Sequence, residues 1–128
     1  MELSVIAMLG VAGVEGSAAH ASATAKLVTA MDPEYFAALT TTVVPGTPLS
    51  TLQERGRFAL PSVRQMFEEL RTIVDEARPK HAVFRTNHAS NYLPLAGVLP
   101  RDREAIVAAI DEALSGKRNL RPEWSRGL

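Results

Sequence analysis

The run FRTNHASNYLPLAG, Phe84 to Gly97, puts Arg85, Asn87, His88 and Asn91 within one short polar stretch framed by apolar residues. An arginine offers a planar fork for a carboxylate or phosphate. Asparagine supplies directional donors and acceptors, and histidine can carry a proton or ligate a metal. Two readings fit the spacing. In one, the four side chains converge on a bound substrate. In the other, the loop satisfies its own backbone, with Asn and Ser closing turns. A metal site built from His88 with His20 and His81 has no support, because no H-x-x-x-H pair or adjacent carboxylate accompanies them.

A second candidate is GVAGVEGS, with Gly10, Gly13 and Gly16. Glycines after a strand can admit a phosphate or nucleotide at a helix start. The spacing G-x-x-G-x-x-G is not the dinucleotide fingerprint, and a tight strand-to-helix turn explains it equally. Glu15 has two roles open to it, a hydrogen bond to a ribose or a carboxylate at a helix start.

These loops must be held by regular elements. LSVIAML, Leu3 to Leu9, is a continuous apolar run and reads as a strand buried on both faces, as in parallel sheets. Ser17 is a suitable N-cap for a helix to Met31, with Thr24, Leu27, Val28 and Met31 at helical spacing. YFAALTTTVV, Tyr35 to Val44, reads as a second strand. PGTPLS then breaks the chain, and Leu52 to Gly56 forms at most a helical turn. From Pro61 the pattern is unambiguous. Val63, Met66, Phe67, Leu70, Ile73 and Val74 make one apolar stripe of a helix. His81 to Thr86 is a third strand, and REAIVAAIDEAL is a third long helix with Ile106, Val107, Ile110 and Leu114 inward, closed by Gly116. The alternation implies α/β architecture: a small parallel sheet of about three strands with right-handed crossovers. Ligands of such sheets sit at the strands' C-terminal ends. The three loops richest in Gly, Pro and polar residues fall on that edge.

The chain has 128 residues, suited to a single domain over 1–128 with an irregular tail at 117–128. Formal net charge is zero, so nothing favours nucleic acid or an anionic membrane. The tail's Arg118, Arg121, Arg126 and Trp124 read more simply as packing on the body than as a nucleic-acid patch. Met8, Met31 and Met66 read as core residues. No apolar run reaches the ~20 residues of a membrane span, and the first residues lack a basic leader region. A cytoplasmic location is expected. There is no cysteine, which excludes a disulfide framework, a cysteine nucleophile and any cysteine-held cluster within this chain.

MLGVAGVEGSAAHASATAKLV, LTTTVVPGTPLSTLQERGRF, FRTNHASNYLPLAGVLPRDREAIVAAIDEAL and LRPEWSRGL together resemble the C-terminal half of a radical S-adenosylmethionine (radical SAM) protein, in a family of uncharacterised prokaryotic Fe-S oxidoreductase-like members. The resemblance covers essentially the whole chain, and FRTNHASNYLPL followed by LRPEWSRGL carries it best. It implies the C-terminal part of a partial (β/α)6 barrel, with Leu3–Leu9 as the fifth strand and Phe36–Val44 as the sixth. It implies that Gly10 and Gly13 lie against the adenine side of SAM and that Val43 and Val44 line the adenine pocket. It puts Arg85, Asn87, His88 and Asn91 in an extension at the barrel mouth, where they bind substrate.

The resemblance also implies S-adenosylmethionine and a [4Fe-4S] cluster in the complete family protein. Its CxxxCxxC loop has no counterpart here, so this chain alone is expected to hold no cluster and to be inactive. The expected partner is a missing N-terminal half or companion chain, whether the sequence is a truncated piece, a fragment gene or half of a split protein. The isolated chain is expected to form a homo-oligomer through its first strand. The alternative is a non-catalytic α/β oligomerising module.

Overall fold

A computed structural model of the chain describes residues 2–86 and 93–116. Its elements are β1 (Ser4–Leu9), α1 (Gly13–Met31), β2 (Tyr35–Thr40), α2 (Pro48–Glu54), α3 (Val63–Glu76), β3 (Ala82–Arg85), β4 (Ala96–Leu99) and α4 (Arg103–Leu114). The class is α/β, as the alternation implies. The sheet is not the expected parallel sheet of about three strands. It is four-stranded and mixed, in the order β1-β2-β3-β4, with β1–β2 and β2–β3 parallel and β3–β4 antiparallel. The added strand is built by the residues after the polar stretch. Thr86 closes the base of the connection: its N–H donates to Leu95 O at 2.8 Å, and its hydroxyl donates to Leu93 O and accepts from Leu95 N. The chain therefore returns alongside β3, and Gly97 pairs with Phe84.

One face of this sheet carries the core. Ala7, Leu9, Phe36, Ala38, Phe84 and Leu99 are buried against Met66, Leu70, Ile73, Val74, Ile106 and Ile110 of the helices. The Phe36 and Phe84 rings meet at 5.5 Å between centroids, tilted by 49°, a favourable arrangement for neighbouring aromatics. The helix from Val63 behaves as its stripe predicts, and Ser62 begins it with a capping box to Gln65. At its other end Arg103 donates to the carbonyls of Val74 and Ala77, and Arg78 donates to those of Asp75 and Ala77.

Among the described residues, nothing covers the opposite face. In register across the sheet it carries Ile6, Ala37, Arg85 and Ala96 in one row, and Ser4, Tyr35, Val83 and Val98 in the next. Ile6 is 61% exposed, and Met8 and Tyr35 are exposed beside it. The expectation that the first strand is buried on both faces is thus corrected. Its apolar run buries alternate residues only, because the long helices α1, α3 and α4 share one side.

Several boundaries differ from the sequence reading for local reasons. Helix α1 starts at Gly13, not after Ser17, because Gly13 N donates to Gly10 O and Val14 N to Ala59 O, which fixes an earlier first turn. Its buried face is Gly13, Ser17, Ala21, Ala25 and Val28, while Leu27 is 56% exposed. Strand β2 stops at Thr40 rather than Val44. Its neighbours run out: β1 ends at Leu9, opposite Thr40, and β3 pairs only as far as Ala37. Helix α2 is longer than one turn, since Thr47 caps it and Pro48 occupies a first-turn position.

Candidate functional site

The segment that follows β2, Thr41 to Pro45, faces α2 and the start of α3. Between them lies a cavity of ≈ 570 Å³, walled by Thr41, Val43, Ser50, Gln53 and Glu54 on one side and by Leu60, Val63 and Met66 on the other. That volume is within the range of small-molecule sites, roughly 300–1,000 Å³. Thr41 is only 5% exposed, and among the described residues its hydroxyl has no hydrogen-bond partner. Buried hydroxyls are ordinarily paired, and an orphan costs about 1–3 kcal/mol.

Behind the turn after β1 sits a buried carboxylate. Glu69 of α3 is 2% exposed. Ser17 Oγ donates to its Oε2 at 2.8 Å, and Gly10 N donates to its Oε1 at 3.3 Å. His20 Nε2 lies 3.7 Å from Oε1 and 3.0 Å from the Met8 carbonyl oxygen, to which it donates. Ser17, expected as a helix cap, is instead a ligand of this carboxylate. The group ties the end of β1, the start of α1 and the middle of α3 together.

The sequence candidates fall in separate places. Gly10 and Gly13 have φ of +83° and +76°, a region that favours glycine. A Cβ on Gly10 would lie 2.8 Å from Met66 Cε, and one on Gly13 would lie 3.2 Å from Ala59 O. The close approaches at these glycines are therefore made by the chain itself. Val43 lines the cavity. Val44 points away from packing, 42% exposed, with its carbonyl accepting from Thr47 N and Thr47 Oγ1. Arg85 is exposed on the bare sheet face. Asn87, His88 and Asn91 lie outside the described residues. His20 sits by the end of β1, whereas His81 immediately precedes β3, so the fold holds these two at opposite ends of the strands. Among the described residues no group of His, Asp or Glu could hold a metal ion.

Glu69, Thr41, Gln53 and Glu54 escaped the sequence reading. Glu69 did leave a signal. It falls three residues after Met66 and four before Ile73, on the apolar stripe itself, so it had to be buried with partners. Thr41 left none, since a threonine at a strand end is ordinary.

The chain matches no family model, no curated protein and no solved structure. Among the described residues no helix is long and apolar enough to cross a membrane.

Proposed function

We propose that the chain is the C-terminal portion of a radical SAM enzyme of the Fe-S oxidoreductase-like kind, acting in the cytoplasm and contributing one wall of the SAM and substrate pocket. The observation that carries this reading is the arrangement of β1, β2 and β3: consecutive, parallel, with the long helices on one face and, among the described residues, an apolar face left bare. A barrel interior requires such a face. In this reading β1 and β2 serve as the fifth and sixth barrel strands, and β3 with antiparallel β4 forms an extension beside them.

The implied cofactors differ in fit. A [4Fe-4S] cluster needs thiolates, and a chain without cysteine offers none; its ligands would have to come from other sequence. S-adenosylmethionine fits in part. Val44 presents a free apolar surface at the end of β2, while the space at Gly10 and Gly13 is already taken by Met66 and Ala59. The two glycines would contribute backbone at the pocket edge rather than a cradle. Arg85, rising from the bare face, would meet an anionic group of substrate. When bound, SAM would supply the radical-generating chemistry; this chain's part is to bind and orient.

An NMR titration with S-adenosylmethionine tests the reading. Amide shifts at Gly10, Gly13, Val43 and Val44 at millimolar ligand are expected, tightening when sequence carrying CxxxCxxC is supplied. Shifts that avoid these residues, with and without that supplement, would remove the proposal. Anaerobic reconstitution of the chain alone with iron and sulfide should leave it colourless.

A second reading has its own support. β1 is a sheet edge with Ile6 exposed, and such edges recruit strands. A non-catalytic oligomerising module would use the same surface.

A further inference from the structure

We propose that the cavity at the end of β2 is a ligand site in its own right, for a small primary amine with an apolar body. It shares Val43 with the pocket wall proposed above. It is otherwise built by the rest of the segment after β2, by α2 and by Leu60 to Met66 at the start of α3, and includes no residue of the bare face.

The wall chemistry selects the ligand. Among the described residues Glu54 is the one acidic side chain that lines the cavity, and no lysine or arginine does. Among the described residues no cation pairs with it. An anionic guest would meet a negative group with nothing to offset it, whereas an ammonium would find a partner. Opposite Glu54, the side chains of Leu60, Val63 and Met66 form an apolar floor, suited to a ring or short hydrocarbon. The volume of ≈ 570 Å³ exceeds what a bare ammonium ion needs and admits a guest of this shape.

Thr41 is the second, independent indication. It belongs to the wall, is 5% exposed, and its hydroxyl has no partner among the described residues. A folded chain gains nothing from an orphaned hydroxyl in this position; valine would fill the same volume without the unpaired group. The hydroxyl oxygen itself is sealed from solvent, so a guest with a hydrogen-bonding group reaches it by turning Thr41 into another staggered χ1 well. Polar groups left unsatisfied at a site of binding are a common form of stability given up for function.

Tyramine is the probe, with 3-(4-hydroxyphenyl)propionate as its matched anion. In an amide NMR titration of the full chain, tyramine should shift Thr41, Ser50, Gln53 and Glu54, and the anion should not. Glu54→Gln should weaken tyramine about threefold, in keeping with an exposed ion pair, and the loss should shrink at high salt. Thr41→Val should weaken it about three- to tenfold while leaving Tm equal or higher. The proposal fails if neither compound shifts these residues at millimolar concentration, or if both do so equally. It fails also if Thr41→Val lowers Tm and leaves tyramine binding intact, since the hydroxyl would then be a structural group bridged through water. None of these failures touches the radical SAM reading, which is tested with a different ligand at Gly10, Gly13 and Val44.

Discussion

The carboxylate of Glu69 sits where the stripe of α3 would place a leucine. It is held there by Ser17 Oγ and Gly10 N, with His20 at 3.7 Å. Truncation to alanine would leave a buried hydroxyl and a buried N–H without their acceptor, each costing about 1–3 kcal/mol. Glu69→Ala is therefore expected to lower stability by about 3 kcal/mol in urea unfolding, and Ser17→Ala by about 1 kcal/mol. A Glu69→Ala midpoint indistinguishable from wild type would show that the carboxylate anchors nothing. Two carboxylates, the half-buried Asp102 and the exposed Glu34, set a pH dependence. Asp102 is held below its ordinary pKa first by the Arg101 guanidinium and then by Val98 N–H, and Glu34 is held below its own chiefly by Leu3 N–H. A depressed folded-state pKa adds stability above the unfolded value, about 3.9 for Asp and 4.3 for Glu, and that stability is lost as pH falls through the lower folded value. Thermal unfolding from pH 6 to pH 2 should show this loss, and it should be shallower in Asp102→Asn. An identical slope in the variant would remove Asp102 as a contributor.

At the scale of elements, α1 is distinguished by what its buried face lacks. Gly13, Ser17, Ala21 and Ala25 line it, and only Val28 is larger. Small side chains let α1 lie close against α3, and close packing leaves no room for growth. Ala25→Leu is expected to cost about 1–3 kcal/mol by overpacking, whereas Leu27→Ala, at a position 56% exposed, should stay within about 0.5 kcal/mol. The reverse ranking in chemical denaturation would mean that α1 packs through its large residues. The sequence expectation for this helix ran its stripe through Thr24, Leu27, Val28 and Met31, of which only Val28 is buried. It failed because a stripe of Ala and Ser carries little hydrophobic contrast, so the periodicity picked out the larger residues instead. Helix α3 was legible for the opposite reason: Met66, Phe67, Leu70, Ile73 and Val74 are large and are flanked by charge. Strand β4 was hidden because its four residues, AGVL, have neither the length nor the alternation of a strand. It exists through pairing with β3 and through the Thr86 clamp, which are long-range facts. The site divides along the same line. The strand-end loops were legible from their Gly and Pro content, while the cavity at Thr41 and Glu54 depends on how α2 folds back over the end of β2.

For the molecule as a whole, the layers do not balance. The long helices cover one face of the sheet, and the other presents Ile6, Met8, Tyr35 and the half-buried Leu39 and Val83 around the single charge of Arg85. Parallel sheets are ordinarily covered on both faces, and β1 adds an unpaired edge to the bare one. Whether the natural occupant is a companion half-barrel or another copy, the same surface must respond to a charge placed on it. Without a companion, apolar surface of this kind favours self-association. The isolated chain is therefore expected to form a homodimer or larger oligomer with β1 at the interface, through edge pairing or stacking of the bare faces. Light scattering across a dilution series should show a mass that falls as concentration drops. Ile6→Lys puts an ammonium in the middle of the exposed row, next to Ala37 and in line with Arg85. Because Ile6 faces away from the core, the change should leave the fold intact by circular dichroism and move the equilibrium toward monomer at least tenfold. A wild-type chain that is monomeric at every concentration, with Ile6→Lys equally monomeric and equally stable, would show that this face is covered from within the chain. An oligomer that ignores Ile6→Lys would move the interface to the opposite side, where Val14, Leu27 and Met31 are the exposed large apolar residues of α1.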